Sequence, residues 1–257
     1  MKRDNNLDPH EKRLADIIED KVDKVRRKNS PEVTDFLDPF QQKLAESFLK
    51  SCDDLTYIIY GGYSGAERAR IAIMPKFWIG KTVDLNITLL DIKGNTRFKD
   101  LNHRDFLGAI LSLGLKREKI GDILVEEEGG KVAVDTLVSS FIISNLEEVS
   151  SVAVTVREVK PEEVVERKER TKELKGTVAS LRLDAVASLG FGFSRSKIVR
   201  AIKADQVKVN WQRANDPSFQ VEKGDTISLR GKGRIIIDNV LGKSRKGRIQ
   251  VLIKKIL

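Results

Sequence analysis

With one cysteine, Cys52, in 257 residues, the chain can form no intrachain disulfide, and a cysteine-built metal cage is excluded. Its two histidines, His10 and His103, stand without neighbours at ligand spacing, so no zinc site is expected. No apolar run reaches the length of a membrane span, and the opening "MKRDNNLDPHEKRLADIIED" lacks the apolar core of a signal peptide. The expectation is a soluble, cytoplasmic protein with no membrane partner. Cofactor signatures are missing too. Gly190 and Gly192 do not complete a dinucleotide fingerprint, and "GKGR" is no phosphate loop. His103-Arg104-Asp105 mimics a kinase catalytic loop, but Ile110 stands where the metal-binding Asn belongs and no "DFG" follows. It reads instead as a helix start. The Glu126-Glu127-Glu128 run beside Gly129-Gly130 reads as a solvated hairpin tip rather than a cation site. No catalytic residue, cofactor or metal is expected.

What the chain does have is charge, unevenly placed. Its composition, 40% hydrophobic and 33% charged, is that of a globular protein with room for two or three small domains. The net charge is +9. Residues 167–257 hold 22 Lys and Arg against 8 Asp and Glu, a net of +14, while residues 1–166 hold 25 against 30, a net of −5. Solubility requires no such asymmetry. It suggests a polyanion-binding module joined to an ordinary partner.

The hydrophobic pattern divides the chain further. Residues 1–80 read as an N-terminal α/β domain, with helices over 8–28 and 39–50 and strands over 55–63 and 71–75. Residues 81–160 follow the order strand, helix, strand, strand, helix, strand, which is that of a ferredoxin-like, RRM-like sandwich. Its hairpin is expected to turn at Gly129-Gly130. Many RNA-recognition domains share that fold and stack bases on aromatics in the central strands, but "KVAVD" carries none. Residues 161–176 read as a charged linker or solvated connecting helix. Residues 177–257 form the basic domain, and the fold class is α+β.

Within that domain, "GFGFSRSKIVRAIKADQVKVN" places Lys197, Arg200, Lys203 and Ser196 within about one third of a helix circumference. Ile198, Val199, Ala201 and Ile202 fill the other arc, and Ser194 sits at the N-cap position. The helix suits a phosphate backbone, although a charged face also serves solubility. "RLDAVASLGFGFSRSKIVRAIKADQVKVN" followed by "GDTISLRGKGR" resembles the RNA-binding domain named after ribosomal protein S4, over roughly residues 178–238. That resemblance implies RNA-backbone contacts from Arg182, Ser194, Arg195, Lys197, Arg200, Lys203, Lys208 and Arg213, with Asn210 alongside. Two members have other readings: Arg195 can pair with Asp184, and Asn210 can shape a turn. In the first domain, "GGYSGAERAR" is either a second RNA contact through Arg68 and Arg70 or a tight strand-to-helix corner.

"HRDFLGAILSLGLKREKIGDILV" (103–125) and "YGGYSGAERARIAI" (60–73) resemble the YlmH-type proteins, including a cyanobacterial and plastid branch. Together with the C-terminal resemblance this covers nearly the whole chain. It implies a non-enzymatic protein on structured ribosomal or transfer RNA at a ribosomal subunit, the large one, with roles in translation, quality control, assembly or cell division. Two other classes stay open: an RNA-modifying enzyme with an unrecognised N-terminal site, and an adaptor whose acidic half docks a protein.

Overall fold

Leu14, Ile18, Val22 and Val25 recur at helical spacing, and in the computed structural model of the chain they are the buried stripe of α1 (Pro9–Lys28). The structure describes residues 9–94, 101–164, 171–244 and 247–256. They divide between two units, Met1–Arg167 and Lys168–Leu257.

In the first unit, α1 is followed by β1 (Glu32–Val33), α2 (Pro39–Leu49), β2 (Leu55–Tyr60) and β3 (Arg70–Pro75). The strands form an antiparallel sheet in the order β1-β3-β2. Asp38 starts α2 through a capping box: its carboxylate accepts from the Gln41 amide, and Gln41 Oε1 accepts from the Asp38 amide, both at 2.9 Å. The stripe of α1 closes over Ile71 and Ile73 of β3 in one apolar cluster.

A second sheet of the same unit comes from β4 (Ile87–Gly94), α3 (His103–Ser112), β5 (Ile120–Glu126), β6 (Gly129–Asp135), α4 (Thr136–Asn145), β7 (Glu148–Val149) and β8 (Val152–Val159). The strand order β5-β6-β4-β8-β7, antiparallel throughout, is the ferredoxin-like arrangement with an added edge strand. Asn102 and Asp105 together cap α3 as a capping box. Leu90, Ile92 and Val132 face Phe106, Ile110 and Ile142 from the two helices. On the other face Phe36 and Tyr63 pack onto Leu89, Ala133 and Val159, so the expected division at residue 80 separates two sheets inside one unit. The β5–β6 turn is at Glu127-Glu128, because Glu126 pairs with Gly129, and not at the two glycines. Gly129 is needed for another reason: at φ +150°, a Cβ there would lie 2.0 Å from the Ile92 carbonyl oxygen of β4.

The second unit runs β9 (Thr171–Val178), α5 (Leu183–Phe191), α6 (Arg195–Lys203), β10 (Val207–Val209), β11 (Gln212–Arg213), β12 (Thr226–Leu229), β13 (Gly233–Lys243) and β14 (Ile249–Ile256). Its sheet has the order β11-β10-β12-β13-β14-β9. Two expectations are corrected here. Residues 171–176 are no linker but part of β9, which pairs antiparallel with β14 from Ile249↔Val178 to Ile256↔Thr171. Leu174 and Val178 lie on the core side, while Glu173, Lys175 and Thr177 alternate to the other face. Of the rest of that segment, residues 165–170 lie outside the described residues. "QVKVNWQ" is not one strand but a hairpin, turning at Asn210 (φ 49°) and Trp211 (φ 68°). Positive φ at both central residues is the type I′ geometry that matches strand twist. Val186, Ile198 and Ile202 of the helices pack on Ile227, Ile235, Ile237, Val251 and Ile253 of the sheet.

A fragment of residues 168–257 is therefore expected to unfold cooperatively in urea. A fragment of 179–257 leaves the β14 edge bare, and should unfold earlier and self-associate in sedimentation. Identical midpoints would show that β9 adds nothing to the unit.

Candidate nucleic-acid interface

The basic surface is built around one acid. Asp184, in the first turn of α5, is 3% exposed. Arg182 Nε and Nη2 donate to its two oxygens at 3.2 and 3.1 Å, and Arg195 Nη2 donates to Oδ1 at 3.0 Å. Burial pulls the Asp184 carboxyl up, but the hydrogen bonds from Arg182 and Arg195 outweigh it and leave the group below the usual carboxylate range. The pairing read as an alternative for Arg195 is thus present. It does not remove Arg195 from the surface, because that side chain stays 53% exposed. A guanidinium fixed along one edge presents its remaining N–H groups in a set direction, as bidentate phosphate contact requires.

The loop between the helices orients the second cationic set. Gly192 takes φ 70° at the end of α5, and the Ser188 hydroxyl donates to the Phe193 carbonyl at 2.6 Å. Ser194 caps α6, accepting from the Lys197 amide at 3.4 Å. Ile198 and Ile202 face the core, and Lys197, Arg200 and Lys203 are exposed. Lys197 Nζ sits 3.9 Å from the centre of the Phe193 ring, with Lys232 Nζ 5.7 Å from the same ring. Phe193 and Lys232 were not among the residues expected on this surface. The sequence signal for Phe193 was an aromatic beside the N-cap, whereas Lys232 arrives from a distant turn.

Lys208 belongs to another surface. It alternates with buried Val207 and Val209, so it points from the sheet face opposite the helices. The register places Arg213 beside it on β11 and Ser228 on β12, and then Arg234 on β13. Like charges set directly across a strand pair repel, and a phosphate between them relieves this. Arg213 also approaches Asp205, just past α6, at 3.9 Å. Asn210 departs from the expectation. Its side-chain amide donates to Asp225 at 2.7 Å, and its oxygen accepts from the Thr226 amide at 2.9 Å. These bonds hold the hairpin turn to β12, so Asn210 is a turn former.

Of the two readings of "GGYSGAERAR", a second RNA contact or a tight corner, burial supports the corner. Arg70 is 5% exposed, donates to the carbonyls of Thr34 and Asn86 at 2.7 Å each, and lies 3.4 Å from buried Asp135. Arg68 donates to the Ile120 and Phe36 carbonyls at 3.1 and 2.8 Å, and burial lowers its pKa. The "GGYSGAERAR" segment is a corner folded onto Asp122, which accepts from the Tyr63 hydroxyl and the amides of Glu67 and Arg68. Both arginines are internal staples. Among the described residues no three His, Cys, Asp or Glu converge as a metal site, and no helix is long and apolar enough to cross a membrane.

Three stretches of the chain match known families. A family described as "YlmH, N-terminal" matches residues 10–76, "Putative RNA-binding domain in YlmH" matches 81–163, and "S4 domain" matches 181–227. A Bacillus subtilis protein named ribosome-associated protein quality control protein P2 is 31% identical over 231 residues, 90% of each chain. The small ribosomal subunit protein uS4 of Desulfotalea psychrophila is 39% identical over 70 residues, 26% of this chain and 33% of that protein. A solved structure, the cell division protein ylmH from Streptococcus pneumoniae, shares the fold at TM-score 0.55 and 22% identity, covering 63% of this chain and 98% of that one.

Substitutions separate the roles assigned above. Asp184→Asn should weaken RNA binding without removing a cation, because Arg182 and Arg195 lose their anchor. A depressed carboxyl contributes stability that is full above its unfolded pKa, near ~3.9, and is lost as pH falls through the lower folded value. Acid unfolding of the second unit should accordingly move to higher pH in variants that remove either arginine, and an unmoved acid limb would count against the clamp. Arg70→Ala should cost about 3 kcal/mol of stability, the scale for breaking a buried ion pair, and leave RNA affinity unchanged in protein that remains folded. Lost affinity in that variant would restore Arg70 to the interface.

Proposed function

Since the chain belongs to the YlmH family, we propose that it binds structured RNA without catalysis, on ribosomal or transfer RNA held by a ribosomal subunit, the large one in particular. The observation that carries this is the helix face of Arg182, Arg195, Lys197, Arg200 and Lys203, fixed by a buried acid and a capped helix within the S4 match. Its chemistry is contact chemistry. Lysines supply point charges, arginines supply forks, and double-stranded RNA offers mainly phosphate and shape to such a surface. The name of the Bacillus relative supports the ribosome as the place of action and quality control as the pathway. The cytoplasm is the compartment that fits, and the cyanobacterial and plastid branch stays within the proposal on the motifs at 60–73 and 103–125.

A protein partner for the first unit is a second reading. It is favoured by helix α4, which carries no charged residue and leaves Leu137 and Phe141 exposed one turn apart.

Replacing Lys197, Arg200 and Lys203 together with Ala should leave the fold intact, since all three lie opposite Ile198 and Ile202 and Ala favours helix. Binding should weaken across RNA sequences, and the log–log salt slope should become shallower by roughly one unit per lost phosphate contact. Unchanged affinity and slope in the folded variant would return this face to a solvated role.

A further inference from the structure

Sheets of the ferredoxin-like kind receive RNA on the face turned away from their helices, through aromatics in the central strands. In this chain that route is closed. Strands β4, β6 and β8 carry no aromatic residue, and Phe36 and Tyr63 pack onto the face at Leu89, Ala133 and Val159. Among the described residues of the first unit three aromatic side chains are exposed: Tyr60, Phe77 and Phe141. The Tyr60 hydroxyl is tied to the Gly62 carbonyl at 2.7 Å, and Phe141 stands on α4, which has no charged residue. Of the three, only Phe77 has a cation within reach of its ring.

Phe77 sits in the connection from β3 to β4, where Pro75 leads into a single 3-10 turn, Lys76–Trp78. The turn is held tightly: the Ile79 amide donates to the Lys76 carbonyl at 3.2 Å, and the Lys81 amide to the Trp78 carbonyl at 3.0 Å. Gly80, at φ 86°, reverses the chain and brings Lys81 back over the rings. Lys81 Nζ lies 4.5 Å from the Trp78 ring centre and 6.0 Å from that of Phe77, and the two ring centres are 6.1 Å apart. Phe77 is nevertheless 63% exposed and Ile79 70%. One exposed apolar side chain needs no explanation, but two on one short turn beside a half-buried tryptophan make an apolar patch. Residues 76–83 hold Lys76 and Lys81 and no acid, in a unit whose net charge is negative.

These features ask for a ligand that is flat and apolar in one part and anionic in the next. We propose that the turn from Lys76 to Lys81 binds an unpaired segment of RNA, one base stacking on Phe77, with Lys76 and Lys81 on the phosphates to either side. The site rests on the RNA-binding reading above and adds to it a single-stranded element and a place. The family match described as an RNA-binding domain begins at Lys81. A wholly apolar partner would take both ammonium groups out of water without a counter-charge, which is costly. Paired bases are closed to such a ring, because their faces lie against their neighbours in the stack, so the ligand is a loop, a bulge or a free end. A ring beneath a base reads none of its hydrogen-bonding edges, so the site takes any base.

The test uses the isotope-labelled full chain, titrated with a short oligouridine and with a blunt-ended RNA duplex, and followed by NMR at the amides of Phe77, Ile79, Gly80 and Lys81. Oligouridine should shift these amides, and the duplex should leave them in place. Phe77→Leu keeps the apolar bulk and loses the ring, and should weaken oligouridine at this turn about fivefold, the low end for a lost stacking contact. Phe77→Trp keeps a ring and should bind as the unaltered chain does. The side chain is exposed, so neither substitution should disturb the fold. A turn silent to oligouridine, equal shifts with the duplex, or full binding in Phe77→Leu would overturn the site. The last of these would mark a plain apolar contact, met by a protein or lipid surface instead of a base. Duplex binding by the same sample separates the two readings. Duplex bound with a silent turn sinks this proposal alone, and duplex binding lost with a responsive turn sinks the structured-RNA reading and leaves the single-strand site.

Discussion

A carboxylate taken out of water is stable only where cations and donors replace its hydration, and in the second unit that requirement falls on Asp184. The chain meets it with two arginines from different places, Arg182 ahead of α5 and Arg195 at the start of α6. Because both must reach one buried point, the loop through Gly192, Phe193 and Ser194 has little freedom, and α6 is set at a fixed angle to α5. The exposed residues of α6 inherit that orientation. Its cations are therefore presented by an acid that itself never meets the solvent, and the basic surface depends on a negative charge.

The first unit applies the same requirement with the opposite result. Asp135 caps α4 through the Leu137 amide at 3.0 Å and is shared by Arg70 and by Lys119, which lies 3.0 Å away. Asp122 gathers the corner at Tyr63, Glu67 and Arg68. Here Arg70 is buried beside Asp135, and the guanidinium groups of Arg68 and Arg70 each donate to two backbone carbonyls. What separates a staple from a contact residue is whether the guanidinium keeps an open edge: Arg195 does and Arg70 does not. Arg117 shows how far burial goes in this corner, since desolvation first, and then the neighbouring Arg68, pull its pKa down to about 10.

That distinction explains what was legible in the sequence. Periodicity gave α1 and the ferredoxin-like order, because burial on one face leaves a regular trace. The Ser194 cap placed the start of α6. Arg68 and Arg70 looked like surface cations because nothing local reveals acceptors 16 to 52 residues away, such as the Asn86 and Ile120 carbonyls. Strand β9 was hidden by its composition: an edge strand shows only Leu174, Gly176 and Val178 to the core, and Lys172, Glu173 and Lys175 give it the look of a solvated linker. The two glycines at 129 and 130 suggested a turn, but Gly129 answers to the Ile92 carbonyl on the neighbouring strand.

The candidate cations of the second unit do not lie on one plane. Lys197, Arg200 and Lys203 leave the helix layer on one side of the sheet, while Lys208 and Arg213 leave the sheet on the other. Arg213, close to Asp205, marks the edge where the two surfaces approach each other. An extended single strand would have to bend around the β10–β11 edge to meet both sets, and ordering that bend costs backbone entropy at each nucleotide. A folded RNA already holds phosphates at fixed angles to one another and incurs that cost in its own folding. The two-sided distribution of charge thus favours structured RNA over a flexible strand for this unit.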